Sequence, residues 1–353
     1  MTNDRDRSLD FNRFKSLKRK VITLSQQSLV KTSYLNADKF PLVIEPAVDK
    51  LSPATWAASA REFIETELLK HGGILFRNFA LHSANDFEKF VRAMCPSLLE
   101  YNERAAPRLQ IAQNIYTSTE YPSEHSIPIH HEMSYSHNWP MKIWFYCDTA
   151  AQEGGATPIA SDRVVFERID AKIKDEFLRK NVMYTRNYGI GIDLTWQDAF
   201  QTSDKSDVET YCHAANMRYE WMPGDRLRTR QVRPPIQMHP KTHEIVWFNH
   251  AHMFHISNVE PKLRESLLSE LTEEFLPRNA YYGDGTPIAS AVLDEIRQTY
   301  NDAAVSIPWR KGDVIMLDNM LASHGRQPFV GPRKILVALA ELHTGAFIYH
   351  DRD

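Results

Sequence analysis

From about residue 110 onward the chain is written in short apolar and aromatic runs: LQIAQNIYT, MKIWFYCDT, EIVWFNHAHMFHI, GDVIMLDNM and RKILVALAEL. Each has the length of a strand and is rich in β-branched and aromatic residues, which suit pleated, half-buried backbone. Turn residues separate them. Helices are expected before these runs and between the later ones. Ser52-Pro53 starts one by N-cap and first-turn preference, Trp56, Ala60, Phe63, Ile64 and Leu68 give it an apolar stripe, and Gly72-Gly73 ends it. ILFRNF at 74–79 reads as a buried strand, and Ser83 caps a helix carrying Phe87, Phe90, Val91 and Met94. Two further helices are expected near 262–276, with Leu263, Leu267, Leu268, Leu271 and Phe275 on one face, and near 288–301. Many short strands with flanking helices predict an α+β chain around a double-stranded β-helix, or jelly roll, rather than a βαβ fold.

The 353 residues, 42% hydrophobic, suffice for a large core. Residues 1–35 read as a loosely held, charged arm, and 36–353 as one jelly-roll domain with helical insertions. Lys and Arg number 42 against 45 Asp and Glu, a net charge of -3, which argues against a nucleic-acid partner and against a polybasic membrane anchor. No apolar stretch reaches the length of a membrane span. Cys95, Cys147 and Cys212 are odd in number and show no disulfide or zinc spacing, so a reducing cytoplasm is the default expectation.

The chemistry-bearing candidates are spread along the chain. His130-x-Glu132 in IPIHHEMSYS is a His-x-acid pair, which on a strand would point both side chains to one face. Spacing alone leaves a surface or turn pair open. His324 lies between the strand-like DVIMLDNM and RKILVALA, where one sheet edge is expected to turn into the next. Two histidines and a carboxylate with the other positions open is the arrangement of non-haem Fe(II) oxygenases. Arg333 enters an apolar strand. A salt bridge at a strand end is one reading; a bidentate grip on a carboxylate is the other. The Gly154-Gly155 pair is a turn that delivers Thr157.

Taken together, HHE, GGATPI and DNMLASHGRQPFVGPRKILVAL resemble the taurine dioxygenase family of Fe(II)- and 2-oxoglutarate-dependent oxygenases, over about residues 70 to 345. IYTSTEYP, HHEMSYSHNWP, VWFNHAH and YYGDG resemble its branch around the syringomycin-pathway aspartyl hydroxylase, whose members serve natural-product assembly. The resemblance implies a jelly roll, His130, Glu132 and His324 as iron ligands, and 2-oxoglutarate and O2 as cosubstrates. Thr157 and Arg333 match the residues holding the distal carboxylate of 2-oxoglutarate, with Lys334 and Arg326 as alternatives for the arginine. Relatives that halogenate have Gly or Ala where this chain has Glu132, so no open halide position is expected.

Five histidines, at 239, 243, 250, 252 and 255, crowd HPKTHEIVWFNHAHMFH. His250-x-His252 could be a second metal pair, but no acid or Cys accompanies it. Asn249 and His250 are candidates for substrate contact, as is Tyr135, for which a core position is the alternative. Gly283-Asp284-Gly285 reads as a turn. The expected activity is hydroxylation of an sp3 carbon of an amino acid, free or tethered to a peptidyl carrier protein. A catabolic oxygenase of a sulfonate or carnitine-like anion, and a non-catalytic metal-binding jelly roll, are the alternatives.

Overall fold

The computed structural model describes residues 26–37, 39–100, 103, 105, 109–118 and 121–345. Its largest sheet has eight strands, in the order Val30–Tyr34, Leu42–Pro46, Gly73–Phe76, Val314–Asp318, Asn138–Thr149, Lys334–Thr344, Ile115–Thr117 and Gln110–Ala112. All neighbouring pairs are antiparallel except Leu42–Pro46 with Gly73–Phe76. A four-stranded sheet of Ala304–Ile307, Thr157–Ser161, Ala322–Arg326 and Ile127–His130 faces it, and the two form the jelly roll.

The apolar runs that lacked clean alternation are explained by burial on both faces of the large sheet. Trp144, Tyr146, Val314, Met316, Leu336 and Ala338 pack outward against the helices Pro53–Ser59, Arg61–His71 and Ala84–Met94. Their neighbours in sequence, Ile143, Phe145, Ile315, Leu317, Ile335 and Val337, pack inward with Ile159 of the small sheet. A second four-stranded sheet, Arg218–Met222, Arg226–Arg233, Val182–Tyr188 and Arg278–Tyr282, is an addition. The helices Trp196–Phe200 and Lys205–Ala214 contribute Trp196, Phe200 and Val208 to a core of its own with Tyr188 and Leu227.

Several expectations change. Residues 1–25 of the expected arm lie outside the described residues, but Val30–Tyr34 form an edge strand paired with Leu42–Pro46, so the ordered fold begins before 36. The first helix is broken at Ala60 into Pro53–Ser59 and Arg61–His71, and Gly72 closes the second in the left-handed region at φ 76°. Ser83 caps its helix as expected, accepting from the Asp86 N–H at 3.2 Å. The helix expected over 262–276 ends at Glu270, with Leu267 buried and Leu263 and Leu268 exposed. The last runs over Ser290–Asp302 with Leu293, Ile296 and Tyr300 inward. In EIVWFNHAHMFHI only Ile245–Trp247 is strand; Ala251–Phe254 is a helical turn. Cys95, Cys147 and Cys212 are free thiols, all buried. No helix among the described residues is long and apolar enough to cross a membrane.

Candidate metal centre

His130, Glu132 and His324 converge: one ligand atom from each lies within 4.8 Å of the others, the one such cluster among the described residues. The geometry differs from the simple strand argument. His130 ends the strand Ile127–His130, but Glu132 sits in the following turn, and Met133 beyond it has φ 59°. His324 is not at a turn; it is mid-strand in Ala322–Arg326, in register with His130 on one side and Ile159 on the other. Gly325 permits this close pairing, because a Cβ there would fall 2.7 Å from the Ile127 carbonyl oxygen. The His130 and His324 rings are 4.6 Å apart, and His324 Nε2 is 3.8 Å from Glu132 Oε2.

The surroundings orient the histidine and the acid. His130 Nδ1 contacts the Pro128 carbonyl at 2.8 Å; a carbonyl only accepts, so Nδ1 carries the proton and Nε2 the lone pair a metal takes. Asn319 holds the Glu132 turn from both sides. Its Oδ1 accepts from the Glu132 N–H at 2.8 Å, and its Nδ2 donates to the Glu132 and Pro140 carbonyls, each at 2.9 Å. Between the two candidate ligands, His131 points away into the core. Its Nδ1 is 2.6 Å from the Asn319 carbonyl, and its Nε2 is 3.1 Å from the Trp247 carbonyl and 3.0 Å from Asp162. Burial works against charge on this ring, but the Asp162 carboxylate and acceptors at both nitrogens outweigh it and raise the His131 pKa above the usual imidazole value. Glu132 and His324 are themselves buried, and a buried carboxylate beside two imidazoles is what a divalent cation compensates. This nitrogen–nitrogen–oxygen set suits Fe(II).

A small cavity opens beside the cluster, with His130, His324, Thr157, Arg326 and Arg333 among its lining residues. Arg333 stands just before Lys334–Thr344. Its Nε donates to the Gly155 carbonyl at 3.0 Å and its guanidinium lies 5.5 Å from the centre of the Phe329 ring. The glycine pair is needed here. Both residues are left-handed, at φ 67° and 68°; a Cβ on Gly154 would meet Pro328 O at 2.3 Å, and one on Gly155 would meet Arg333 Cδ at 3.1 Å. Burial and the charge of Arg326 push the Arg333 guanidinium down to about 10. Two cations lining one small cavity favour an anionic guest. Lys334 points elsewhere, 3.3 Å from Asp148 at the surface. Arg326 lines the cavity too, but donates to the carbonyls of Tyr121, Pro122 and His125, which pins that loop.

The substrate-contact candidates separate. His250 packs on the cluster, its ring 5.4 Å from His130 and its Nδ1 3.0 Å from Ser134 Oγ; burial keeps it uncharged. Asn249 does not reach the cavity, because its amide donates to Pro235 O and accepts from the Ala251 N–H. Tyr135 is a core residue whose hydroxyl donates to the Glu103 carbonyl at 2.6 Å. His252 contacts Ile129 O at 2.8 Å through Nε2, and it takes no part in a cluster of metal-ligand type with His250. Gly283 and Asp284 form a turn, with Asp284 accepting from the Thr286 N–H.

The family model described as taurine catabolism dioxygenase TauD, TfdA family matches residues 38–339. This chain belongs to the TauD/TfdA family. It is an Fe(II)/2-oxoglutarate-dependent dioxygenase, using Fe(II), 2-oxoglutarate and O2. It is 42% identical over 301 residues to the dapdiamide synthesis protein DdaC of Enterobacter agglomerans, covering 84% of this chain and 92% of that one. It is 28% identical over 340 residues to a clavaminate synthase-like protein of Arabidopsis thaliana, covering 91% and 99%. The PvcB protein of Pseudomonas aeruginosa shares the fold, with TM-score 0.54 at 16% identity over 90% of this chain and 93% of the other.

Proposed function

We propose that this dioxygenase hydroxylates an sp3 carbon of an amino acid or aminoacyl group in a natural-product pathway, with His130, Glu132 and His324 as its metal ligands. The observation that carries the site assignment is the convergence of these three residues, with His130 and His324 on the wall of a cavity that Thr157 and Arg333 also line. The 42% identity to a dapdiamide synthesis protein supports the biosynthetic setting and the amino-acid-like substrate. That substrate class rests on analogy, since fold alone does not fix function.

When bound, iron with 2-oxoglutarate and O2 supplies oxidation of a substrate C–H bond coupled to decarboxylation of the cosubstrate to succinate. The chain's own residues do the rest. His130, Glu132 and His324 hold the metal on one side. Arg333 grips a carboxylate, with Gly155 O fixing its Nε so that the outer nitrogens serve the cavity. Thr157 adds a hydroxyl at the same end. Phe145, Ile335 and Val337 line the cavity with apolar surface and limit water. Glu132 occupies the position a halide would need, so oxygen insertion or desaturation is expected and chlorination is not, even at high chloride.

The test has two stages. His130→Ala, Glu132→Ala and His324→Ala should each abolish succinate release and sharply weaken Fe(II) binding; normal activity in any of them removes that residue from the ligand set. Amino acids are then offered free and loaded on a peptidyl carrier protein, with product mass as the readout. Turnover of the free form supports a closed substrate site, and turnover of the loaded form alone supports a tethered one. Vigorous turnover of taurine or a betaine, with amino acids refused in both forms, would sink the amino-acid assignment and leave the oxygenase class intact.

A further inference from the structure

Trp309 follows the strand Ala304–Ile307, whose last residue pairs with Thr157. Its indole Nε1–H donates to Thr157 Oγ1 at 2.9 Å. An indole nitrogen only donates, whereas a hydroxyl has one proton and two acceptor sites. The bond therefore occupies an acceptor site of Thr157 and forbids the hydroxyl proton from pointing at Trp309. The Thr157 side chain makes no other hydrogen bond among the described residues, and it is buried on the cavity wall. The direction left to its proton is the cavity.

The structure assigns Trp309 as a positioning residue that makes the Thr157 hydroxyl a fixed donor, so that this end of the cavity selects a 2-oxo acid ending in a carboxylate over one ending in a primary amide. The inference rests on the reading of the cavity as the 2-oxoglutarate site. Around the distal group the chain then presents the Thr157 O–H and the guanidinium of Arg333. A carboxylate accepts from both through either oxygen. A primary amide must turn an N–H towards one of them or leave it unmet. Without the indole N–H, the Thr157 hydroxyl regains rotational freedom and can turn its acceptor side to the amide.

Calorimetric titration of Mn(II)-loaded protein, which binds without turnover, tests this. The probes are 2-oxoglutarate and 2-oxoglutaramate, on wild type, Trp309→Phe, Thr157→Val, the double variant and Trp309→His. Trp309→Phe should raise the 2-oxoglutarate Kd roughly three- to tenfold, the worth of one neutral hydrogen bond. It should also narrow the preference over 2-oxoglutaramate and leave the Mn(II) Kd unchanged. In the Thr157→Val background it should add nothing, and Trp309→His, which restores a ring N–H, should recover part of the loss. An unchanged Kd in Trp309→Phe, or an equal penalty with and without the Thr157 hydroxyl, overturns the assignment and reduces Trp309 to packing. If Trp309→Phe does not fold, Trp309→Leu, which also lacks the N–H, with Thr157→Val closes the same cycle, and independence of the two changes overturns it equally. Wild type that binds Mn(II) but not 2-oxoglutarate would overturn the cosubstrate reading itself, an outcome distinct from the others.

Discussion

Asn319 shows how much of this site depends on a residue with no metal-binding chemistry. Its amide is matched donor-to-acceptor with the backbone of Glu132, and its own carbonyl receives His131. In the sequence it was one letter of a strand-ending DNM, and nothing in its type or spacing marked it; only the fold places it against a turn from the far side of the chain. Truncation to Ala leaves a buried N–H without its acceptor, a cost of about 1–3 kcal/mol. Asn319→Ala should therefore weaken Fe(II) binding by tenfold or more while 2-oxoglutarate, measured at saturating metal, binds nearly as before. Metal affinity equal to wild type would show that the turn holds itself. Arg333 illustrates the opposite case, a residue legible in sequence but shadowed by a neighbour. It lines the cavity while Lys334 pairs with Asp148 at the surface. Losing a charged partner in a buried site costs about 2–5 kcal/mol, so Arg333→Leu should raise the 2-oxoglutarate requirement roughly 30-fold or more. Lys334→Leu should leave it unchanged; the reverse pattern would shift the assignment by one residue.

Elements were readable where one force decided them and misread where two competed. The strands of the large sheet came through because burial on both faces makes continuous apolar runs. The segment after Trp247 failed because VWFNHAHMFH has strand-like residues, yet Asn249 accepts from the Ala251 N–H and starts a helical turn that puts His250 against His130. The helix near 262–276 was overextended because a leucine stripe looks the same whether it meets a core or water; Leu263 and Leu268 meet water. The Glu132 turn was invisible because i and i+2 on a strand gave the right convergence by a different geometry. The glycine turn at 154–155 was legible as a turn, but its second role, making room for Arg333, was not. That role is testable. Gly155→Ala adds a Cβ 3.1 Å from Arg333 Cδ at a residue held at φ 68°. The left-handed backbone alone costs about 1–2 kcal/mol, and displacing Arg333 should add a several-fold loss of 2-oxoglutarate affinity. A variant that melts lower yet binds 2-oxoglutarate as tightly as wild type would separate the turn from the cosubstrate site.

At the scale of the molecule, the candidate centre joins distant parts of the chain: His130 and Glu132 come from one segment, and His324 lies far along it on a strand beside His130. Such a site does not exist in the unfolded chain, so its ligands stabilise the folded state by mass action, by about 2.7 kcal/mol at a hundredfold excess over Kd. The inner core runs from Val43 and Leu75 through Phe145 and Ile159 to Leu339. The hydroxyl of Tyr184 accepts the His250 N–H at 2.7 Å, which ties the added sheet to the segment whose imidazole packs on His130. We therefore expect the described fold to melt as one cooperative unit. Mn(II) with N-oxalylglycine should raise its melting temperature by several degrees, without splitting the transition. Glu132→Ala should erase the metal-dependent part of the shift, and Arg333→Leu the part that depends on N-oxalylglycine. Two transitions, of which ligand moves one, would mean that the sheet built on Val182–Tyr188 and Arg226–Arg233 unfolds independently of the roll that carries the site.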